Sequence, residues 1–149
     1  LPISEIKTGN PVTDVILTQK QKEAEEKGID FRCKFMYPTD TGINAFDVSV
    51  ILNNAITNAF EGVNGCKNPY VSVSAYRKKN AYMLELTNCV CKSVEIDDET
   101  GVPETTKKDK GSHGFGLANI RKVAQKYYGD IDISQDENSF TLTVMLMVE

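Results

Sequence analysis

Apolar residues recur along this chain in two rhythms, one at every third or fourth position and one at every second. Val12, Val15, Ile16 and Gln19 lie on or beside one face of a first helix, which Asn10-Pro11 opens as N-cap and first helical residue. The charged run 20–27 reads as its solvated end, and Gly28 stops it. Ile29, Phe31, Cys33, Phe35 and Tyr37 alternate with polar residues, which predicts a strand over 29–37 followed by a turn at Pro38 to Gly42. Val50, Ile51, Ala55 and Ala59 recur at helical spacing over 46–63, the longest helical stretch, with Gly62 and Gly65 closing it. Val71, Val73 and Ala75, then Tyr82, Leu84 and Leu86, alternate on either side of Lys78-Lys79-Asn80, a hairpin signal. Leu117, Ile120, Val123, Ala124 and Tyr127 mark a last helix. Two closing strands, over 131–134 and 140–147, are joined across Asp136-Glu137-Asn138.

Residues 89–112 break both rhythms. They are polar, contain Gly101 and Pro103, and carry the run Lys107-Lys108-Asp109-Lys110. A stretch this long inside a compact domain reads as a lid or a disordered segment. The predicted order is therefore α-β-α-β-β-lid-α-β-β. Two strand pairs are hairpins, so the sheet must be mixed, and the expected fold is an α/β (α+β) two-layer sandwich with helices on one face of the sheet. A doubly wound fold does not fit. No internal repeat or low-complexity tract is present.

The 149 residues suit one domain spanning 1–149, long enough to bury a core without staples. A net charge of -4 argues against a nucleic-acid partner, which calls for a basic face. No run of about 18 apolar residues is present, so nothing in this chain is expected to enter a membrane. No signal-peptide pattern is visible either, and the opening Leu1-Pro2 fits a piece of a longer polypeptide. Cys33, Cys66, Cys89 and Cys91 form no C-x-x-C pair and have no zinc-finger histidine near them, so they read as reduced, half-buried thiols in a cytosolic compartment.

Two constellations carry chemistry. In the long helix, Asn54 and Asn58 are four apart and share a face, with Glu61 three further on that side. Asparagine competes with the backbone for hydrogen bonds, and two on one face of an apolar helix need polar partners if buried. An amide oxygen suits magnesium, with phosphate oxygens completing the shell. By spacing alone a solvated polar stripe is the favoured reading. The second constellation is Gly111-Ser112-His113-Gly114-Phe115-Gly116-Leu117, which opens the last helix. Its glycines let backbone approach a ligand, and a helix N-terminus offers unpaired N–H groups to phosphate. It is not a P-loop, since no Gly-Lys-Ser/Thr follows, nor a dinucleotide fingerprint, since a polar loop precedes it. A glycine-rich helix start without a ligand stays open.

Asn54-x-x-x-Asn58-Ala59-x-Glu61 resembles the asparagine box of the GHKL ATPases, which include gyrase, the heat-shock chaperone ATPase, histidine kinases and mismatch-repair proteins. His113-Gly114-x-Gly116-Leu117 resembles their second glycine box. Thr8-Gly9-Asn10-Pro11-Val12-x-Asp14-x-x-Leu17, with Lys107 ahead of His113, is similar to the catalytic domain of sensor histidine kinases of the peptide-pheromone, quorum-sensing receptor type of Gram-positive bacteria. The resemblance implies the GHKL fold, Mg-ATP as bound nucleotide, and transfer of its γ-phosphoryl group to a histidine on a separate dimerisation hairpin. It implies Asn58 as magnesium ligand, Asn54, Asn58, Lys107 and His113 as catalytic residues, and Asn54, Asn58, Glu61, Asn88, Lys107, His113, Gly114, Phe115, Gly116 and Leu117 around the nucleotide. It further implies a dimeric, membrane-anchored parent receptor, this domain on the cytoplasmic side, and a response-regulator partner. The phosphoacceptor histidine is not in this chain, because His113 is its only histidine and belongs to the glycine box.

One departure qualifies the match. The first glycine box, Asp-x-Gly-x-Gly after a strand, is missing. Leu84-x-Leu86 runs instead into Thr87-Asn88-Cys89-Val90, so Asn88 stands where the adenine-reading aspartate would be. Kinases of the pheromone-receptor group are similar in lacking that box. Three rivals remain at this point: an anti-sigma-type serine kinase of the same fold, a GHKL hydrolase, and a nucleotide-binding regulatory module with little catalysis.

Overall fold

The computed structural model describes residues 5–91 and 113–148, with backbone alone for 113–115. Within them the chain forms α1 (Pro11–Lys27), β1 (Asp30–Lys34), α2 (Ala45–Gly62), β2 (Tyr70–Lys78), β3 (Ala81–Cys89), α3 (His113–Lys126), β4 (Asp130–Gln135) and β5 (Ser139–Met147). The five strands make one sheet in the order β1-β2-β3-β5-β4. β1 runs parallel to β2, and every other neighbouring pair is antiparallel, so the sheet is mixed as the two hairpins require.

Alternation gives this sheet one helix-facing side. Val73, Leu86, Leu142 and Ile133 share a rung, as do Ala75, Leu84, Val144 and Ile131 one step along. The central members Val71, Val73, Leu84, Leu86, Leu142, Val144 and Leu146 are buried, whereas Ser72, Ser74, Glu85, Thr87, Thr141 and Thr143 between them keep partial exposure. α2 lies in the middle of the helix layer, packed against α1, α3 and the two strands β2 and β3. It brings Val48, Ile51, Leu52, Ala55, Ile56, Ala59 and Phe60 into the core. Burying side chains of this size is worth about 1.5–3 kcal/mol each, and it holds the helix that carries the asparagines flat on the sheet.

Four details correct the sequence reading. Val50 is 40% exposed, next to an exposed Phe46, because the inward stripe of α2 runs through Val48, Ile51 and Leu52. In α1 the buried residues are Thr13, Leu17 and Ala24, and Val15 faces solvent. The helix has too few apolar residues to define a face. Its seating is set by a polar lock in which Asn10 Oδ1 accepts from Val12 N at 2.8 Å and Asp14 Oδ1 accepts from Thr8 N at 2.6 Å. β1 ends at Lys34 and not at Tyr37, since Tyr37 N leaves the sheet to donate to Thr8 O at 2.8 Å. Cys89 still pairs with Ser139, and Val90 N donates to Asn138 O at 3.0 Å, so both belong to the end of the sheet and not to a lid. The rest of the lid read over 89–112, from residue 92 on and including Lys107, lies outside the described residues.

Candidate nucleotide site

The asparagine face of α2 separates into two different environments. Asn54 is half-buried, and its Nδ2 donates back to the carbonyl of Val50, one turn earlier, at 2.8 Å. One turn later, Asn58 is half-buried overall, but its Nδ2 is fully buried and has no hydrogen-bond partner among the described residues. An unsatisfied buried donor costs about 1–3 kcal/mol, so this atom is in place for something that brings an acceptor. Glu61 is half-buried at the next turn.

What faces Asn58 is the first turn of α3. A methyl group built on Gly116 would lie 3.0 Å from Asn58 Nδ2 and 3.3 Å from Oδ1. Only a residue without a side chain lets the start of α3 come this near to the amide. α3 begins at His113, so the end of this helix that carries its positive dipole lies next to the asparagine. The segment 113–116 is thus brought to Asn58 by tertiary packing of α2 on α3. Of the sequence-read residues in this segment, His113, Gly114 and Phe115 have described backbones only, and Leu117 turns its side chain into the core at 3% exposed.

One turn beyond Asn58, at the C-terminal end of α2, the geometry repeats. Period 2 along β3 puts Asn88 in the helix-facing row of Tyr82, Leu84 and Leu86, where it is the one polar residue and is 4% exposed. Its Nδ2 donates to Cys89 O at 3.0 Å. A methyl on Gly62 would come within 2.6 Å of that nitrogen, so α2 ends on a glycine where it crosses Asn88. The sequence signals Gly62 only as a helix stop, and its role in seating Asn88 appears only when β3 is laid beneath α2. Asn88, Gly62, Glu61, Asn58 and Gly116 therefore follow one edge of α2. Among the described residues no group of three or more His, Cys, Asp or Glu side chains could hold a metal. Asn58 offers one hard amide oxygen, and a magnesium ion bound there would complete its shell with phosphate oxygens and water.

A mixed five-stranded sheet under three helices puts these described residues in the class of two-layer α/β domains. The chain belongs to the GHKL domain family, whose model matches residues 43–147. Its fold is similar to the catalytic domain of the histidine kinase ThkA, at a TM-score of 0.75 and 17% identity, over 99% of this chain and 97% of that one. It is also similar to the histidine kinase AdeS of Acinetobacter baumannii, at a TM-score of 0.69 and 14% identity, over 100% of this chain and 70% of that one. A histidine kinase of Burkholderia phymatum STM815 follows at 0.67 and 13%, over 95% and 69%. At these identities the likeness concerns the fold, and it extends to α1 and β1, which precede the family match. No curated protein matches the sequence.

Proposed function

We propose that this domain binds Mg-ATP and passes the γ-phosphoryl group to a histidine on a separate dimerisation hairpin of a parent sensor kinase in two-component signalling. The observation that carries the reading is the buried Asn58 amide nitrogen, without a partner among the described residues, against Gly116 at the start of α3. A phosphate oxygen there would accept from the amide and from the helix N-terminus together. Turned by half a rotation, the same amide would present Oδ1 to magnesium, which supplies neutralising charge on the phosphates.

The chain's own residues then divide the work. Asn58 holds the metal and phosphate side. Asn88 meets the adenine, its Oδ1 accepting from the exocyclic amino group. The backbone around Gly114 and Gly116, with Lys107 and His113, closes on the phosphates. Asn54 stays tied to its own helix through Val50. A neutral acceptor imidazole already carries a lone pair, so the domain's task is positioning and charge neutralisation, without a strong general base. That division favours the kinase over a hydrolase. The Thr8 to Leu17 segment favours a parent of the peptide-pheromone receptor type, anchored in a membrane with this domain on its cytoplasmic side and a response regulator as the next partner. Among the described residues no helix is long and apolar enough to cross a membrane.

The test is a calorimetric titration with magnesium and a non-hydrolysable ATP analogue, followed by labelling of a separately made hairpin. Wild type should bind, Asn58→Ala should not, and the hairpin should gain phosphate in an acid-labile linkage. Wild-type affinity in Asn58→Ala would remove the metal and phosphate assignment. Binding without transfer would leave a nucleotide-sensing module.

A further inference from the structure

Three of the four cysteines meet at the corner where α2 ends and β3 leaves the sheet. Cys66 lies in the turn after α2, its N–H donating to Val63 O at 3.0 Å. Cys89 is the last residue of β3, buried, and its sulfur accepts from Tyr70 N at 3.3 Å. Cys91 is exposed, and its thiol donates to Asn64 O at 3.1 Å. Cys66 follows directly on Asn64 and Gly65, the two residues against which Cys91 Sγ packs, and burial first, then the neighbouring Cys89 and Cys91 thiols, push its pKa up to about 11. Gly65 completes the corner. Its φ of 86° favours glycine, and a methyl on it would lie 2.9 Å from Cys91 Sγ, so the chain makes room for that sulfur. Cys33 stands apart in β1, two strands from β3.

We propose that Cys66 and Cys91 form a reversible disulfide under peroxide, and that this bond weakens nucleotide binding. The effect on binding rests on the function proposed above; the disulfide does not. The reaction takes two steps with a hydroperoxide as oxidant. The exposed Cys91 sulfur attacks the peroxide, the O–O bond breaks, and Cys91 becomes a sulfenic acid as water leaves. The Cys66 sulfur then attacks the Cys91 sulfur, the S–O bond breaks, and a second water carries away the hydroxyl and the Cys66 proton. Two thiols and one peroxide give one disulfide and two waters. Cys66 stays protonated and slow towards peroxide by itself, yet it sits where it can resolve an oxidised Cys91. Cys89 is the poorer partner, because its sulfur is engaged by Tyr70 and lies in the last paired position of the strand.

The link to binding is positional. Cys66 follows Gly62 by four residues and Cys91 follows Asn88 by three, and Gly62 and Asn88 are in direct contact. A bond between the two sulfurs closes a small ring around that contact and clamps Asn88 to the end of α2. A base that reaches Asn88 must part them.

The whole chain, reduced, is treated with stoichiometric hydrogen peroxide and divided for thiol counting, unreduced peptide mapping and calorimetry with the ATP analogue. Two thiols should be lost, one peptide pair should join Cys66 to Cys91, and affinity should fall about tenfold, ordinary coupling between two sites. Dithiothreitol should restore it. Cys91→Ser should bind like reduced wild type and ignore peroxide, and Cys66→Ser should stop at a dimedone-reactive Cys91. Retention of all four thiols, or a bond that uses Cys89, would overturn the site. A mapped Cys66–Cys91 bond with unchanged affinity would overturn the regulation. Failure of reduced wild type to bind nucleotide would defeat the function and the effect on binding, while mapping still decides the disulfide.

Discussion

Gly116→Ala separates a ligand gap from ordinary packing. The added methyl would stand 3.0 Å from Asn58 Nδ2, closer than comfortable contact, in the space that a phosphate acceptor would use. Two effects on stability oppose each other. Alanine inside a helix is favoured over glycine by about 0.5–1 kcal/mol. The amide must give way by a few tenths of an ångström, and a side chain turned about 30° from its rotamer costs about 0.5–1.5 kcal/mol. The sum lies within about 1 kcal/mol of zero, a Tm change of no more than about 4 °C for a chain this long. Binding has no such cancellation. Losing one hydrogen bond to a charged group costs about 1.5–3 kcal/mol. That weakens the Kd by about 10- to 150-fold. Thermal unfolding of the ligand-free protein and calorimetry with magnesium and the ATP analogue measure both quantities on one sample. Affinity within about threefold of wild type would refute the ligand gap. A loss of more than about 3 kcal/mol in the ligand-free protein would make Gly116 a packing glycine instead.

Three further outcomes follow from the same geometry. A methyl on Gly129 would fall 1.7 Å from Met145 O in β5, whose backbone is paired on both sides and cannot yield, so Gly129→Ala should lose at least about 3 kcal/mol in urea unfolding; wild-type stability would contradict that contact. Tyr127 donates to Asp47 and accepts from Asn44 N at 3.0 Å, tying α3 to the start of α2, and Tyr127→Phe should cost about 1 kcal/mol at pH 7. Burial pushes the Asp47 carboxyl up, but the Tyr127 hydroxyl and the Lys126 ammonium outweigh it and hold its pKa below the usual value. A depressed carboxylate stabilises above its unfolded pKa near about 4 and loses that contribution as pH falls through the folded one, so the gap between wild type and Tyr127→Phe should narrow below about pH 4. A gap that widens in acid would exclude Asp47 as its source. Asn54 cannot accept a proton at neutral pH, and a missing positioned base typically costs about a hundredfold to ten-thousandfold, so the isolated chain should release phosphate from ATP far more slowly than about one per second. Turnover at that rate would favour a hydrolase.

The strands were readable from the sequence because one wetter face and one helix-covered face force strict alternation, and Val71, Val73, Leu84 and Leu86 obey it. Their ends were less readable, since Tyr37 keeps the alternation although it has left the sheet and Cys89 breaks it although it is still paired, their backbone partners being the distant residues Thr8 and Ser139. The buried face of α1 was hidden because it is fixed by Thr8, Asn10 and Asp14 and not by an apolar stripe. Val50 misled because it stands beside Ile51 in sequence, although the stripe of α2 passes on the other side.

The site shows the same division between local and distant causes. Four-residue spacing puts Asn54 and Asn58 on one face, yet it cannot say that one amide closes on its own helix while the nitrogen of the other is left without a partner among the described residues. That difference depends on Gly116, which belongs to another helix. Asn88 likewise depends on Gly62, which belongs to α2. In both places a polar amide faces a glycine from a neighbouring element, and the absent side chain leaves the amide room. In the sequence these glycines look like stops and starts of helices, because a glycine that ends a helix and a glycine that makes room for a distant amide leave the same local mark. Only the resemblance to the GHKL boxes joined the asparagines to the second glycine box before the fold did. No box marks Gly62, which is why its contact with Asn88 had to come from the structure.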